Sequence, residues 1–175
     1  MSMGFGHLIG AWIIGLVWQY FNKKRLSAPT WFCLLLGGIL PDIDNLLDWT
    51  LKTELHRSFT HSFLFALFVG LLLYLVLSFL KTNGTKKYFG NLNHVHCAVA
   101  ISIGVLTHLF LDLSLPGVPL LWPLNYYFGY FGIQLVPHSG AAFSFSPKLI
   151  NNFIFDTGLG AAWILYLTVR GKLRP

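Results

Sequence analysis

A histidine and an aspartate lie four residues apart inside a long apolar run of this chain. The run extends over Val95–Leu115, and the pair is His108 and Asp112. A spacing of four places both side chains on one face of an α-helix, about one turn apart. An ionisable side chain costs about 3 kcal/mol or more at the centre of a bilayer, so such residues usually serve a function. An imidazole and a carboxylate in this arrangement can bind one cation, and the pair therefore indicates a metal site.

Two further acids interrupt the second apolar run. Asp42 and Asp44 follow Pro41 in the segment GGILPDIDN. Proline has no N–H and breaks a helix, and at membrane depth such a break is tolerated only where protein or a polar cavity satisfies the backbone. We therefore expect the two carboxylates on a turn or a first helical turn, directed inwards. An ordinary helix cap would explain one aspartate better than two.

The segment HRSFTHS precedes the strongest apolar run and contains two histidines and an arginine. His56 and His61 are five residues apart and do not share a helical face. Arg57 could hold a phosphate or carboxylate through two hydrogen bonds, or could instead reach lipid headgroups. His7, in GHLIGAW, is either a ligand or a structural histidine among small residues that favour close helix packing.

These segments supply more candidate ligands than the four that a structural zinc site requires. The candidates are His7, Asp42, Asp44, His56, His61, His108 and Asp112. Mixed imidazole and carboxylate ligands favour zinc, with manganese or iron as alternatives. The surplus fits two ions that share carboxylates, and it fits equally one ion with supporting residues around its ligands.

The composition is that of a multi-pass membrane protein. Of the 175 residues, 55% are hydrophobic and only 10% are charged, whereas soluble domains carry about 25% charged residues. The net charge of +6 comes from short basic clusters beside apolar runs. This pattern indicates contact with anionic lipid and argues against a nucleic-acid partner. Cys33 and Cys97 have no metal-type spacing, so no disulfide framework is expected.

Five apolar segments predict an all-α polytopic bundle of about five transmembrane spans, in one membrane-embedded domain over residues 1–175. The segments are Phe5–Phe21, Trp31–Leu47, Phe59–Leu80, Val95–Leu115 and Phe153–Val169. The loops on one side carry nine of the 12 lysines and arginines, so that side is predicted to be cytoplasmic. The N-terminus then lies outside, the C-terminus lies inside, and all the candidate ligands fall in the outer half.

Residues 116–152 form a long aromatic outer loop, expected in the headgroup zone as a lid or wall.

In combination, the segments GHLIGA, GGILPDIDN, HRSFTHS, HLFLD and LLWPL resemble the YdjM-like family of bacterial inner-membrane metal-dependent hydrolases. The likeness covers roughly His7 to Pro123. It implies a helical fold embedded in the bacterial cytoplasmic (inner) membrane, and a divalent metal held at the seven positions named above. A more distant similarity to all-helical zinc phospholipases C, which also use a His-x-x-x-Asp ligand pair, suggests phosphoester hydrolysis.

Three functions are compatible with this pattern. In a hydrolase, a metal-activated water would attack an ester or phosphoester at the extracytoplasmic face, with Asp44 or a histidine such as His61 as general base and Arg57 against the anionic group. The apolar surroundings favour a membrane lipid or lipid-linked substrate. A metal or proton transporter is the second possibility, although it would need polar residues through the whole membrane. The third is a non-enzymatic membrane assembly factor with a structural metal.

Overall fold

The computed structural model describes residues 4–51, 58–82, 92–113, 117–124, 126–129, 132–134 and 147–172. These residues are mostly helical. In chain order the helices are α1 (Gly4–Asn22), α2 (Ala28–Ile39), α3 (Ile43–Leu51), α4 (Phe63–Thr82), α5 (His94–Asp112) and α6 (Pro147–Lys172). Two 3₁₀ turns, Leu40–Asp42 and Phe59–His61, precede α3 and α4, and two short antiparallel strands, β1 (Tyr127–Gly129) and β2 (Gly132–Gln134), follow α5.

Among the residues that the structure describes, three helices are long and apolar enough to cross a membrane. They are α4 over Phe63–Leu80, α5 over His94–Asp112 and α6 over Ile150–Gly171. The second predicted segment, Trp31–Leu47, is divided between α2, a 3₁₀ turn and α3, because Pro41 has no N–H with which to continue the helical ladder. The 12 residues of α2 rise about 18 Å, well short of a hydrocarbon core of about 30 Å.

The core of the bundle lies where α2 crosses α5, and glycines allow the two backbones to meet. A Cβ at Gly104 would collide with the carbonyl oxygen of Leu34 and with the backbone of Gly37. Small residues permit this close approach between helices in membranes. On the other side of α5, Ser102 Oγ donates a hydrogen bond to the Ala66 carbonyl of α4 over 2.9 Å. The helix α5 is therefore held between α2 and α4.

We expect Gly104→Ala to lower the free energy of unfolding by about 1–3 kcal/mol, the usual cost of overpacking. The atoms that the new methyl group would meet belong to the backbone and cannot rotate away. Gly158→Ala on α6 is the matched control, since no described atom lies within 4 Å of a Cβ at that position. Thermal unfolding in detergent measures both variants, and equal stability would contradict the close crossing.

The helices α1 and α6 lie side by side and run in the same direction. Near its start, α6 contacts the first turn of α1 through Asp156, and further along, the ring of Trp163 meets the ring of Trp12 at 6.1 Å. The basic residues that follow α1, Lys23–Arg25, therefore lie at the same end of the bundle as Arg170 of α6. Asp156 lies at the opposite end.

The described part of the predicted outer loop 116–152 packs against the turn before α4. The N–H of Phe63 donates a hydrogen bond to the Leu120 carbonyl over 3.0 Å, and the rings of Trp122 and Phe59 meet edge to face at 5.2 Å. The helix α6 begins at Pro147, so the last six residues of that predicted loop are helical. The segment 117–124 therefore forms a wall beside Phe59–His61.

Candidate metal centre

Six ionisable side chains meet at the end of the bundle where α1 begins and α5 ends. They are His7 of α1, Asp42 of the first 3₁₀ turn, Asp44 of α3, His61 of the second 3₁₀ turn, and His108 and Asp112 of α5. Five are buried, and only Asp42 is partly exposed, with 20% of its side chain accessible. The structure thus brings together six of the seven predicted ligands. His56 and Arg57 lie outside the described residues, and their roles stay predictions.

His108 is oriented by a backbone carbonyl of α2. Its Nδ1 lies 2.9 Å from the Gly38 oxygen. Because a carbonyl oxygen can only accept a hydrogen bond, Nδ1 carries the proton and Nε2 keeps its lone pair. That Nε2 lies 3.3 Å from His61 Nε2 and 3.7 Å from Asp112 Oδ2. The one available nitrogen of His108 therefore faces the middle of the cluster.

His61 is oriented in the same way by a carboxylate. Its Nδ1 lies 3.2 Å from Asp44 Oδ2, and that oxygen also accepts a hydrogen bond of 2.5 Å from Thr60 Oγ1. A carboxylate behind one ring nitrogen fixes the tautomer and directs the other nitrogen at a metal. This placement favours an orienting role for Asp44 behind His61. The predicted role of Asp44 as general base is not tested and stays a prediction.

The turn that carries His61 is held by a serine cap. Ser62 Oγ accepts a hydrogen bond from the Phe65 N–H over 3.1 Å and donates one to the Phe59 carbonyl over 2.6 Å. Thr60, Ser62 and the Gly38 carbonyl are not among the residues that the sequence pattern predicts for the site. A serine or threonine directly before an apolar run is a recognised helix-start signal, so the Ser62 cap was open to prediction. The carbonyl of Gly38 carries no comparable local signal.

The donor atoms have the spacing of ligands around one ion. His61 Nε2, His108 Nε2 and Asp112 Oδ2 form a triangle with sides of 3.3, 3.5 and 3.7 Å. Asp42 Oδ1 lies 3.9 Å from the His61 nitrogen and 3.7 Å from the His108 nitrogen. Four ligand atoms bound to a tetrahedral zinc at 2.0–2.1 Å lie about 3.3 Å from one another. The distances from Asp42 to the two histidines, and those among His61, His108 and Asp112, are therefore close to the spacing that such an ion requires.

Each of these four residues has a neighbour that supports it. Gly38 and Asp44 stand behind the two histidines, as described above. The side-chain amide of Asn45 donates to Asp42 Oδ1 over 3.2 Å. His7 lies against Asp112, with its Nε2 3.2 Å from Asp112 Oδ1, and its ring stacks on His108 with centroids 3.9 Å apart. Supporting partners of this kind are a regular feature of metal sites in proteins.

Buried polar atoms remain without hydrogen bonds in this cluster. Among the described residues, neither ring nitrogen of His7 and neither oxygen of Asp112 has a partner with hydrogen-bond geometry, although their atoms approach to 3.2 Å. A buried polar group without a partner costs about 1–3 kcal/mol, and more when it is charged. A cation would satisfy the Asp112 oxygens and offset the charge of the neighbouring carboxylates. The residues present therefore fit a divalent metal.

Within the described part of the chain, two groups of three residues could each hold an ion, and they share one histidine. The groups are His7, His108 and Asp112, and Asp42, His61 and His108, with the ligand atoms of each group within 4.8 Å of one another. Neither group includes Asp44, in agreement with its place behind His61. Because the only free nitrogen of His108 has one lone pair, the two groups cannot bind two ions through that nitrogen at the same time.

Comparison with known proteins places the chain in a family of membrane proteins. The model of the YdjM inner membrane protein family matches residues 1–172. No curated protein and no solved structure matches the chain. The match spans almost the full sequence, and three of the described helices are apolar enough to cross a bilayer, so the protein is a multi-pass protein of the inner membrane. The chain belongs to the YdjM inner membrane protein family.

Proposed function

We propose that the protein is a membrane-embedded, metal-dependent hydrolase that cleaves an ester or phosphoester bond in a lipid or lipid-linked substrate. The observation that carries this proposal is that buried atoms of Asp112 and His7 lack hydrogen bonds to any described residue and lie beside three further possible ligands. Hydrolytic zinc enzymes bind their metal through the same types of side chain, imidazoles and carboxylates.

The centre is proposed to face the extracytoplasmic side. Lys23–Arg25 and Arg170 lie at the other end of the bundle from Asp156 and the metal centre, and basic residues mark the cytoplasmic side of a membrane protein. This orientation places the N-terminus outside and the C-terminus inside. All five apolar segments contribute to the membrane-embedded bundle in this topology, including the short helix α2.

A single ion is proposed to bind at the position that the two candidate groups share. The ligands are His61, His108, Asp42 and Asp112, and zinc suits two imidazoles and two carboxylates, with manganese or iron as alternatives. A second ion would be left with His7 and one oxygen of Asp112. When bound, the ion would lower the pKa of a water molecule and polarise the bond to be cleaved.

The surrounding residues have distinct proposed tasks. Asp42 is the partly exposed member of the cluster, so water and substrate approach from its side. His7 has ring nitrogens free of hydrogen bonds to any described residue and lies outside the four ligands, so it is placed to accept a proton. Asp44 keeps the ring of His61 in place. Arg57 stays the proposed partner of an anionic group.

A lipid substrate fits the surroundings of the centre. The segment with Leu120 and Trp122 packs on the turn that carries His61, and α4 presents Phe63, Leu64 and Leu67 as exposed side chains directly after that turn. Apolar exposed residues beside a buried polar centre suit a molecule with both an acyl chain and a polar head. The exposed apolar side chains and the packed segment support a substrate that reaches the centre from the bilayer.

A transport function has less support. A path for ions needs polar steps through the whole membrane. Between the metal centre and the opposite end, α1 has no charged residue or histidine after His7, and α5 has none between His96 and His108. The charged residues and histidines of these two helices are therefore confined to the helix ends. This distribution suits a site at one end of the bundle better than a path for ions through it.

The test is metal content followed by hydrolysis. We expect detergent-purified protein to hold about one zinc, manganese or iron ion per chain. It should cleave a synthetic phosphodiester or a phospholipid in mixed micelles. A chelator should abolish this activity, and added metal should restore it. Two ions per chain would contradict the single centre. A bound ion without cleavage of any ester would favour a structural clamp over a hydrolase, and metal uptake into sealed vesicles would favour a transporter.

A further inference from the structure

An aspartate in the membrane-spanning helix α6 is not part of the metal centre. Asp156 lies within the candidate span Ile150–Gly171 and belongs to neither candidate metal group. A carboxylate in such a helix is costly unless specific partners satisfy it. Its partners are on another helix, α1.

Asp156 accepts hydrogen bonds from two backbone groups in the first turn of α1. Its Oδ2 lies 3.0 Å from the N–H nitrogen of Phe5, and its Oδ1 lies 3.0 Å from that of Gly6. The first N–H groups of an α-helix have no partner within the helix, and negative charge is favourable beside them. The usual cap is a residue just before the helix. Here the cap comes from a different helix, 150 residues further along the chain.

The capped turn is the one that carries His7. His7 follows Gly6 directly, and its side chain lies against Asp112 and stacks on His108. On the side of α6, a Cβ at Gly160 would lie only 2.5 Å from the ring of Phe5. The first turn of α1 is therefore held between α6 and the metal centre.

We propose that Asp156 is a positioning residue that caps α1 from α6 and thereby holds His7 against Asp112. This inference rests on the proposed metal centre. Among the contacts described, Asp156 touches no proposed metal ligand, and it acts through two backbone N–H groups. Without the cap, the first turn of α1 frays, because two of its N–H groups lose their acceptor, and His7 no longer supports Asp112.

A double-mutant comparison with His7 tests whether Asp156 affects metal binding through His7. The Zn²⁺ affinity of detergent-purified protein is measured by competition with a chromophoric chelator for wild type, Asp156→Ala, His7→Ala and the double variant. Loss of a supporting partner typically weakens metal binding by about 10–100-fold. We expect Asp156→Ala to weaken binding about tenfold in the wild-type background, and to have almost no further effect once His7 is alanine.

Hydrogen exchange provides a readout that does not depend on metal. We expect the amides of Phe5 and Gly6 to exchange at least about tenfold faster in Asp156→Ala, while those of α5 keep their protection. Thr157→Val is the matched control, because Thr157 is the next residue and bonds only to the Phe153 carbonyl within α6 among the contacts described. It should change neither exchange nor affinity.

The affinity and exchange measurements test separate parts of this proposal. Equal losses of affinity in both backgrounds would overturn the route through His7, and unchanged exchange at Phe5 and Gly6 would overturn the cap. If Asp156→Ala does not fold, Asp156→Asn, which keeps one acceptor oxygen, carries the same comparison. Wild-type protein that binds no metal would overturn the proposed function and the positioning role, while the exchange data would still decide whether Asp156 caps α1.

Discussion

Asp112→Asn should abolish metal binding and hydrolysis together, with a loss of metal affinity of at least about 100-fold, beyond the range seen for supporting residues. The Asp112 carboxylate faces three imidazoles, at 3.2 Å from His7, 3.5 Å from His61 and 3.7 Å from His108. Asparagine keeps the shape but removes the charge, and its NH₂ group cannot bind a cation. Metal content after dialysis and the rate of phosphodiester cleavage measure the two effects.

The control for this variant is another aspartate changed to its amide. Asp48 lies on α3 and outside both candidate metal groups. Asp48→Asn should leave metal content unchanged and activity within about twofold of wild type, because Asp48 belongs to neither candidate group. A full equivalent of metal in purified Asp112→Asn would remove this residue from the centre.

His108→Ala should have an effect of similar size, again at least about 100-fold in metal affinity. His108 is the one residue that belongs to both candidate groups, so no arrangement of the remaining residues keeps either group complete. The change also leaves the Gly38 carbonyl without the donor that it has at 2.9 Å. The measurement is the same chelator competition, with added imidazole as a chemical replacement for the missing side chain.

The matched control lies on the same helix. His96 is near the start of α5, at the opposite end from the centre, where its ring meets that of Trp18 at 6.5 Å. His96→Ala should therefore bind metal as the wild type does. Equal loss in the two variants would point to a general effect on folding, and recovery of binding with imidazole in His108→Ala alone would argue for a ligand.

Much of the candidate site was predictable from residue type and spacing, because the apolar background makes each ionisable residue informative. The spacing of His108 and Asp112 predicted that both face the same way, and the alternation of helix direction predicted that His7, Asp42 and His61 would join them at one end of the bundle. The structure places all of these together. The resemblance to the YdjM family was confirmed by the family match.

Other features depend on three-dimensional neighbours and could not be predicted from local patterns. Asp42 and Asp44 are two residues apart, and the 3₁₀ turn Leu40–Asp42 decides that one faces the centre while the other stands behind His61. The role of Asp156 depends on α6 lying beside α1, which no periodicity encodes. The division of Trp31–Leu47 at Pro41 was foreseen, but the hydropathy of that segment did not reveal how short α2 is.

The proposed ligands are spread along the sequence from Asp42 to Asp112, and the last of them ends α5. During biosynthesis, a nascent chain with only the first helices inserted contains some of the acids and imidazoles but not the complete set of proposed ligands. The proposed ion would therefore find its full set of ligands only after α5 has been inserted beside the earlier helices. It would then be acquired after membrane insertion, from the aqueous compartment that this end of the bundle faces.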